Sequence, residues 1–344
     1  MPRSLELGLD TFGDVTRRAD GRPEPHAQVI RNVVEQAVLA DSVGLDYIGV
    51  GEHHREDFAI SAPEVVLAAV AARTERIRMG SAVTVLSSDD PVRVFERFST
   101  VQAIARGRAE VMLGRGSFIE SFPLFGYDLR DYEQLFDEKL DLFARLLKEE
   151  TITWQGNMRP PLTDARVFPR LEHGKLVTWI GVGGTPESVL RAAHYDMPVM
   201  FAVIGGDPAR FRSLADLSRR ARRELGRPEL PVGLHSPGYV GETDKQARDD
   251  FFLDYKTMHD RIGAERGWQR EMTRQEFDRE IERGALFVGS PETVARKIVA
   301  VANALDLSRF NLKYSAGLLP HERLMRCIEL YGRRVAPLVR EQLG

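Results

Sequence analysis

The run Gly49-Val50-Gly51-Glu52-His53-His54 concentrates more potential chemistry than any other stretch of this 344-residue chain. It follows Leu45-Asp46-Tyr47-Ile48, whose apolar and β-branched residues read as a strand. Two glycines let the backbone turn; a carboxylate and two imidazoles come next. Imidazole titrates near neutral pH, so His53 could take or give a proton, with Glu52 and His54 orienting it. Titratable groups at the end of a buried strand are costly unless they line a cavity. Loops at strand ends carry binding and catalytic groups disproportionately, which favours function over two histidines on a solvated loop.

Two further sets could bind an anion. Arg115-Gly116-Ser117 offers a planar fork of donors suited to phosphate, and its glycine admits a ligand close to the backbone. Alone it reads as a solvated arginine in a turn. Gly181-Val182-Gly183-Gly184-Thr185-Pro186-Glu187-Ser188 joins a strand to a helix start, where free N–H groups attract anions. Gly289-Ser290-Pro291-Glu292-Thr293-Val294 nearly repeats it, with a hydroxyl N-cap before proline in both. Capping alone therefore explains Thr185 and Pro186, but not Gly183-Gly184.

Two other chemistries fit poorly. The dinucleotide pattern G-x-G-x-x-G would need glycine where Pro186 or His54 stands, so a Rossmann nicotinamide site is not expected. A metal hydrolase would use His53, His54 and a carboxylate. Adjacent histidines point apart on an extended backbone, and the first strand carries no His-x-His pair.

The elements that must hold these groups alternate regularly. Strands are expected over 5–10, 45–48, 77–85, 108–114, 176–182, 198–204, 231–235 and 309–315. Helical spacing covers 26–43, 62–73, 90–106, 132–148, 186–195, 208–225, 291–305 and 320–338. Eight strand-plus-helix units predict an α/β chain, an eight-stranded parallel (β/α)8 TIM barrel forming one domain over 1–344. Insertions follow strands 4 and 7, at about 115–170 and 241–284. The second hangs from the catalytic face and would suit a lid or an outer-wall elaboration equally.

Composition narrows the setting. At 43% apolar the chain can build a full core, and a net charge of −3 advertises neither nucleic acid nor an anionic membrane. The single cysteine, Cys327, excludes an internal disulfide framework. The N-terminal residues lack the apolar core of a signal peptide, and the longest apolar run, 65–72, is too short to span a bilayer. A cytoplasmic protein is expected. The helix over 62–72 is apolar nearly all round, which predicts cover by a second subunit in a homodimer or larger oligomer.

Taken in order, these motifs resemble the luciferase-like flavin monooxygenases over nearly the whole chain. The resemblance is carried by Gly51-Glu52-His53-His54, by Gly80-Ser81-Ala82-Val83 with Asp90-Pro91-Val92-Arg93, by Arg115-Gly116, by Gly183-Gly184-Thr185-Pro186-Glu187-Ser188, and by Gly289-Ser290-Pro291-Glu292. It implies FMN at the carboxyl ends of the strands. Arg115 would hold the phosphate on one side, with Gly183, Gly184, Thr185 and Ser188 on the other. A cis peptide between Ala82 and Val83 would lie beside the flavin ring, and His53 would be the catalytic histidine. Reduced FMN from a separate flavin reductase would activate oxygen, and one oxygen atom would pass to a small organic substrate. The alternatives are a deazaflavin-dependent oxidoreductase and a flavin-binding protein without catalysis. Gly114 and Phe118 stand where luciferase has a reactive cysteine and a tyrosine, so neither light emission nor an aldehyde substrate is implied.

Overall fold

The computed structural model describes residues 5–116, 118–172, 175–265, 267–268 and 270–344. Twelve strands lie along these residues: β1 Glu6–Thr11, β2 Tyr47–Val50, β3 Arg78–Ser81, β4 Thr84–Val85, β5 Ala109–Gly114, β6 Ile152–Trp154, β7 Leu162–Ala165, β8 Val177–Val182, β9 Val199–Ala202, β10 Val232–Val240, β11 Phe287–Gly289 and β12 Arg309–Lys313. The helices are α1 His26–Ser42, α2 Pro63–Arg73, α3 Pro91–Ile104, α4 Ser121–Phe125, α5 Tyr132–Leu146, α6 Pro186–Tyr195, α7 Arg212–Glu224, α8 Asp244–Glu265, α9 Arg274–Arg283, α10 Pro291–Leu305, α11 His321–Leu330 and α12 Ala336–Leu343.

The strands β1, β2, β3, β5, β8, β9, β10 and β12 pair in parallel, and the β12–β1 and β9–β10 pairings close the barrel expected from the alternation. Side chains such as Leu7, Leu9, Ile48 and Val50 face outward into the helical layer and are fully buried there. The inward positions are more polar. At the amino end Arg309 donates to both oxygens of Glu110, at 2.7 and 3.0 Å, and to Glu6 at 2.8 Å, with its guanidinium over Tyr47 and Trp179. Gly49 sits on an inward position. A Cβ there would stand 2.1 Å from an Asp10 carboxylate oxygen, so glycine is needed to admit that acid to the barrel interior.

Four elements depart from expectation. The strand expected over 77–85 is split into β3 and β4 by a cis peptide between Ala82 and Val83, the bond the family resemblance implies. The seventh barrel strand runs well past His235 to Val240, and its outer end pairs with β11, which carries too few residues to show a period. The stretch 115–131, read as a loop, holds the short helix α4 and a 3-10 turn, whereas the antiparallel pair β6–β7 lies outside the barrel as an insertion there implies. The last helix is interrupted by a π turn at Tyr331–Val335, just ahead of Pro337, which lacks the N–H a continuous ladder needs.

The all-round apolar helix is also more ordinary than its sequence. α2 buries Val66, Leu67, Val70 and Ala71, together with Glu64, which pairs with Arg97 at 2.7 Å. Val65 is 68% exposed in the single chain. Among the described residues no helix is long and apolar enough to cross a membrane.

Candidate active site

The carboxyl ends of the barrel strands surround a cavity of about 430 Å³, within the range of small-molecule sites. His53 lies in its wall, on the turn after β2, and is buried in an aromatic box. Its ring stacks on Phe58 at 4.5 Å and meets the edges of Phe12 and Phe118, each at 5.0 Å. Its Nδ1 is 3.3 Å from Oε1 of Glu120, at the start of α4. Burial alone would raise the Glu120 pKa, but hydrogen bonds from His53 and from backbone N–H groups outweigh it and hold the carboxyl below its usual range. The other oxygen, Oε2, is buried without a hydrogen-bond partner.

Glu52 and His54 serve each other rather than His53. His54 Nε2 lies 3.0 Å from Glu52 Oε1, and Glu52 Oε2 accepts from the Val85 N–H at 2.9 Å. Glu52 thereby ties the turn after β2 to β4, just beyond the cis peptide. The expectation that both residues orient His53 is corrected: its partner is Glu120. The same split separates the two imidazoles onto different carboxylates. Among the described residues no group of three His, Cys, Asp or Glu side chains is placed to hold a metal ion, so the hydrolase alternative has no ligand set.

The residues expected to bind an anion are only partly brought to the cavity. Arg115 lines the cavity, lies over the Tyr132 ring at 5.2 Å, and ion-pairs with the exposed Glu133. Gly183 also lines the cavity, and a Cβ there would meet nothing within 4 Å. Gly184 has φ +130°, which favours glycine. Thr185 and Ser188 stand behind this turn, outside the cavity lining, and their hydroxyls bond each other at 2.8 Å. Thr185 makes no side-chain cap, whereas Ser290 in the repeated motif accepts from the Thr293 N–H at 3.3 Å. Side-chain capping therefore accounts for Ser290 and not for Thr185. Ser117 lies outside the described residues.

Ala82 and Val83 both line the cavity. A Cβ at Gly114 would come within 2.6 Å of a Val83 methyl, so a cysteine at 114 would have no room beside this valine. A flat ring against Val83 and Met112, with an anionic tail toward Arg115 and the open Gly183 turn, suits these surroundings.

Some residues at the cavity are not among the candidates read from the sequence. Glu120 is 67 positions from its histidine, in a loop without periodicity. Asp10, His235 and Lys313 also line the cavity. Each is a polar residue at or near the carboxyl end of an expected strand, the signal that singled out His53. His235 Nδ1 lies 2.6 Å from Asp10 Oδ2, and Lys313 donates to both oxygens of Asp14 at 2.7 and 2.8 Å. From the insertion, α8 contributes Tyr255, Met258, His259 and Ile262 to the cavity wall, and Trp268 joins them.

A barrel whose catalytic-face cavity holds a caged histidine and an open strand-to-helix turn defines an enzyme that positions a ring-shaped cofactor. The model of the luciferase-like monooxygenase family matches residues 14–307, and the chain belongs to that family. It is 27% identical to the 4-hydroxyprotoasukamycin monooxygenase of Streptomyces nodosus subsp. asukaensis, over 88% of this chain and 85% of that one. Among solved structures it is similar to the oxygenating constituent of 3,6-diketocamphane monooxygenase of Pseudomonas putida, a type II Baeyer-Villiger monooxygenase in complex with FMN. That likeness has a TM-score of 0.79 at 19% identity, covering 98% of this chain and 99% of the other. An F420-dependent secondary alcohol dehydrogenase shares the fold at a TM-score of 0.77 and 14% identity, over 98% and 99% of the chains.

Proposed function

We propose that the protein is the oxygenating component of a two-component FMN-dependent monooxygenase. The observation that carries this is His53, caged by three aromatic rings at the cavity and held through Nδ1 by a carboxylate. Glu120 accepts from Nδ1–H, so the neutral ring presents Nε2 to the cavity as a proton acceptor and the charged ring presents it as a donor. The aromatic walls keep water from the reacting atoms. Reduced FMN, when bound, supplies the electrons for oxygen activation; a separate reductase would deliver it. Arg115, Gly183 and Gly184, with Thr185 and Ser188 behind them, would hold its phosphate, and Ala82-Val83 would flank its ring. Arg115 would exchange Glu133 for the phosphate, both being anionic oxygens.

FMN should bind more tightly than riboflavin. Arg115→Ala should weaken FMN by about 1.5–3 kcal/mol, the worth of a hydrogen bond to a charged group, and leave riboflavin nearly unchanged. Equal losses for both ligands in a fluorescence titration would remove Arg115 from the phosphate site. With reductase, NADH, FMN and a substrate panel, mass spectrometry should find one added oxygen atom. His53→Ala should lower that turnover about 10²–10⁴-fold, with FMN affinity changed far less.

The shared fold of the F420-dependent dehydrogenase supports a second reading, hydride transfer with a deazaflavin. It would appear as anaerobic substrate reduction without oxygen uptake. The exposed Val65 face of α2 supports a homodimer, working in the cytoplasm beside its reductase. A monomeric mass by light scattering at micromolar concentration would dispose of the dimer.

A further inference from the structure

His235 is another imidazole of the cavity, on the seventh barrel strand. Its ring lies nearly parallel to Phe12, 14° apart at 6.0 Å, and Phe12 also meets the His53 ring at 5.0 Å. Asp10, fully buried, takes Nδ1 at 2.6 Å and accepts from the Asn311 amide at 3.1 Å through its other oxygen. Where the Asp10 carboxylate accepts, Nδ1 carries the hydrogen. In the neutral ring Nε2 is then a lone-pair acceptor, and it is the remaining polar atom of a side chain that lines the cavity.

The titratable groups around it already have partners. Lys313 is held by Asp14, His53 faces Glu120, His54 faces Glu52, and Arg115 is paired with Glu133. Arg210 is exposed at the rim, stacked on Phe211, which neighbours Gly184 on the anion-binding side. Among the described lining residues the cations Lys313 and Arg115 are thus each held by a carboxylate, and Phe12, Phe58, Phe118, Ile262 and Trp268 supply apolar walls.

We propose that His235 accepts a hydrogen bond, and then the proton, from the hydroxyl of an uncharged phenolic substrate bound against these walls. The O–H bond breaks, the Nε2–H bond forms, and the electron pair stays on the substrate oxygen. A phenol at pKa about 10 lies within a few units of imidazole, whereas an aliphatic alcohol does not. The phenolate carries extra electron density at its ortho and para carbons, where an added oxygen atom would be received. That last point rests on the monooxygenase reading; the binding step does not.

The test uses the full-length protein with 4-nitrophenol and its methyl ether, 4-nitroanisole, in equilibrium dialysis, with and without added FMN. Wild type should prefer the phenol about tenfold, one neutral hydrogen bond at the upper end of its range. The bound phenol should show a larger share of its visible anion band than free 4-nitrophenol at the same pH. His235→Leu should abolish both the preference and the band while leaving 4-nitroanisole unchanged. Asp10→Asn keeps the ring but frees its tautomer and should reduce the preference. A merely structural role would lower both ligands together. Equal wild-type affinities, or equal losses for both compounds, would overturn the proposal. So would a variant that weakens FMN but keeps the phenol preference, because His235 would then belong to the cofactor. A protein that binds no FMN but keeps the preference would sink the monooxygenase reading and leave this assignment standing.

Discussion

On the proposed reading, Glu120 would set which nitrogen of His53 works in the cavity. Glu120→Gln puts an amide where the carboxylate was, and an amide can meet either tautomer of the ring. Turnover should fall about 10–100-fold with little change in FMN affinity, the cost seen when a group orienting a histidine is lost. Unchanged turnover in a correctly folded variant would show that the pair only fills space. The same carboxyl has a pH signature. Its folded pKa is lowered, so its contribution to stability is full above the ordinary 4.5 and disappears as pH falls through the folded value. Urea midpoints of Glu120→Gln should therefore depend less on pH below about 4.5 than those of wild type. Cys327 is the opposite case. Burial pushes its thiol up to about 12, and its sulfur accepts from the Val240 N–H. It should stay unreactive to thiol reagents at pH 8 until the protein unfolds; prompt modification of the folded protein would contradict its burial. His53 was legible from sequence because an imidazole past a predicted strand is unusual by position alone. Its partner was not, because loop residues acquire neighbours only through the fold.

At the scale of elements, the insertion over 241–284 was legible as charged helices hanging from the catalytic face, but whether they lay over the cavity or on the outer wall was not. Two ion pairs fix that place. Arg55, from the turn after β2, grips Glu265 of α8 with two bonds of 2.6 and 2.7 Å, and Arg261 reaches back to Glu56 at 2.8 Å. Partly exposed pairs of this kind contribute at most about 1 kcal/mol to stability. They nevertheless join the histidine turn directly to the helix that roofs it. Arg55→Ala should leave the melting temperature within a few degrees of wild type. Hydrogen exchange should rise selectively along Asp244–Glu265, and high salt should have the same effect on wild type. Uniform exchange between the two proteins would show that packing of Phe251, Tyr255 and Phe277 alone holds α8 down. The break between β3 and β4 was legible only through family resemblance. Nothing in the alternation of 77–85 marks it.

The barrel as a whole was the most legible feature, because eight repeats of one strand and one helix leave few other ways to bury every apolar face. Its floor was not. Glu6, Glu110 and Arg309 read as ordinary charges near strand starts, and only closure brings them together. Burial opposes the Arg309 charge, and Glu110 restores it, so the guanidinium stays ionised. Glu110→Gln would strand that charge inside the protein. The expected loss is about 3–5 kcal/mol, measured as a lower urea midpoint with an unchanged slope. A loss below 1 kcal/mol would mean that Glu6 suffices. The effect should fall on stability and not on FMN affinity, since the floor and the cavity lie at opposite ends of the strands.

The β10–β11 pairing brings Val240 alongside Gly289, and the Gly241 N–H bonds the Gly289 carbonyl at 3.1 Å. Everything between leaves and rejoins the barrel at one point, so the chain here behaves as an exchangeable cassette. Closing such a loop costs little more as it lengthens, and roofs of different size could be hung from the same two residues. A replacement must still cover Tyr239, which stacks on Phe251 at 5.6 Å. Met258, Ile262 and Trp268 belong to the cassette, whereas Arg115, Gly183 and His53 belong to the barrel. Grafts at this junction should therefore redraw substrate choice while cofactor affinity is inherited unchanged.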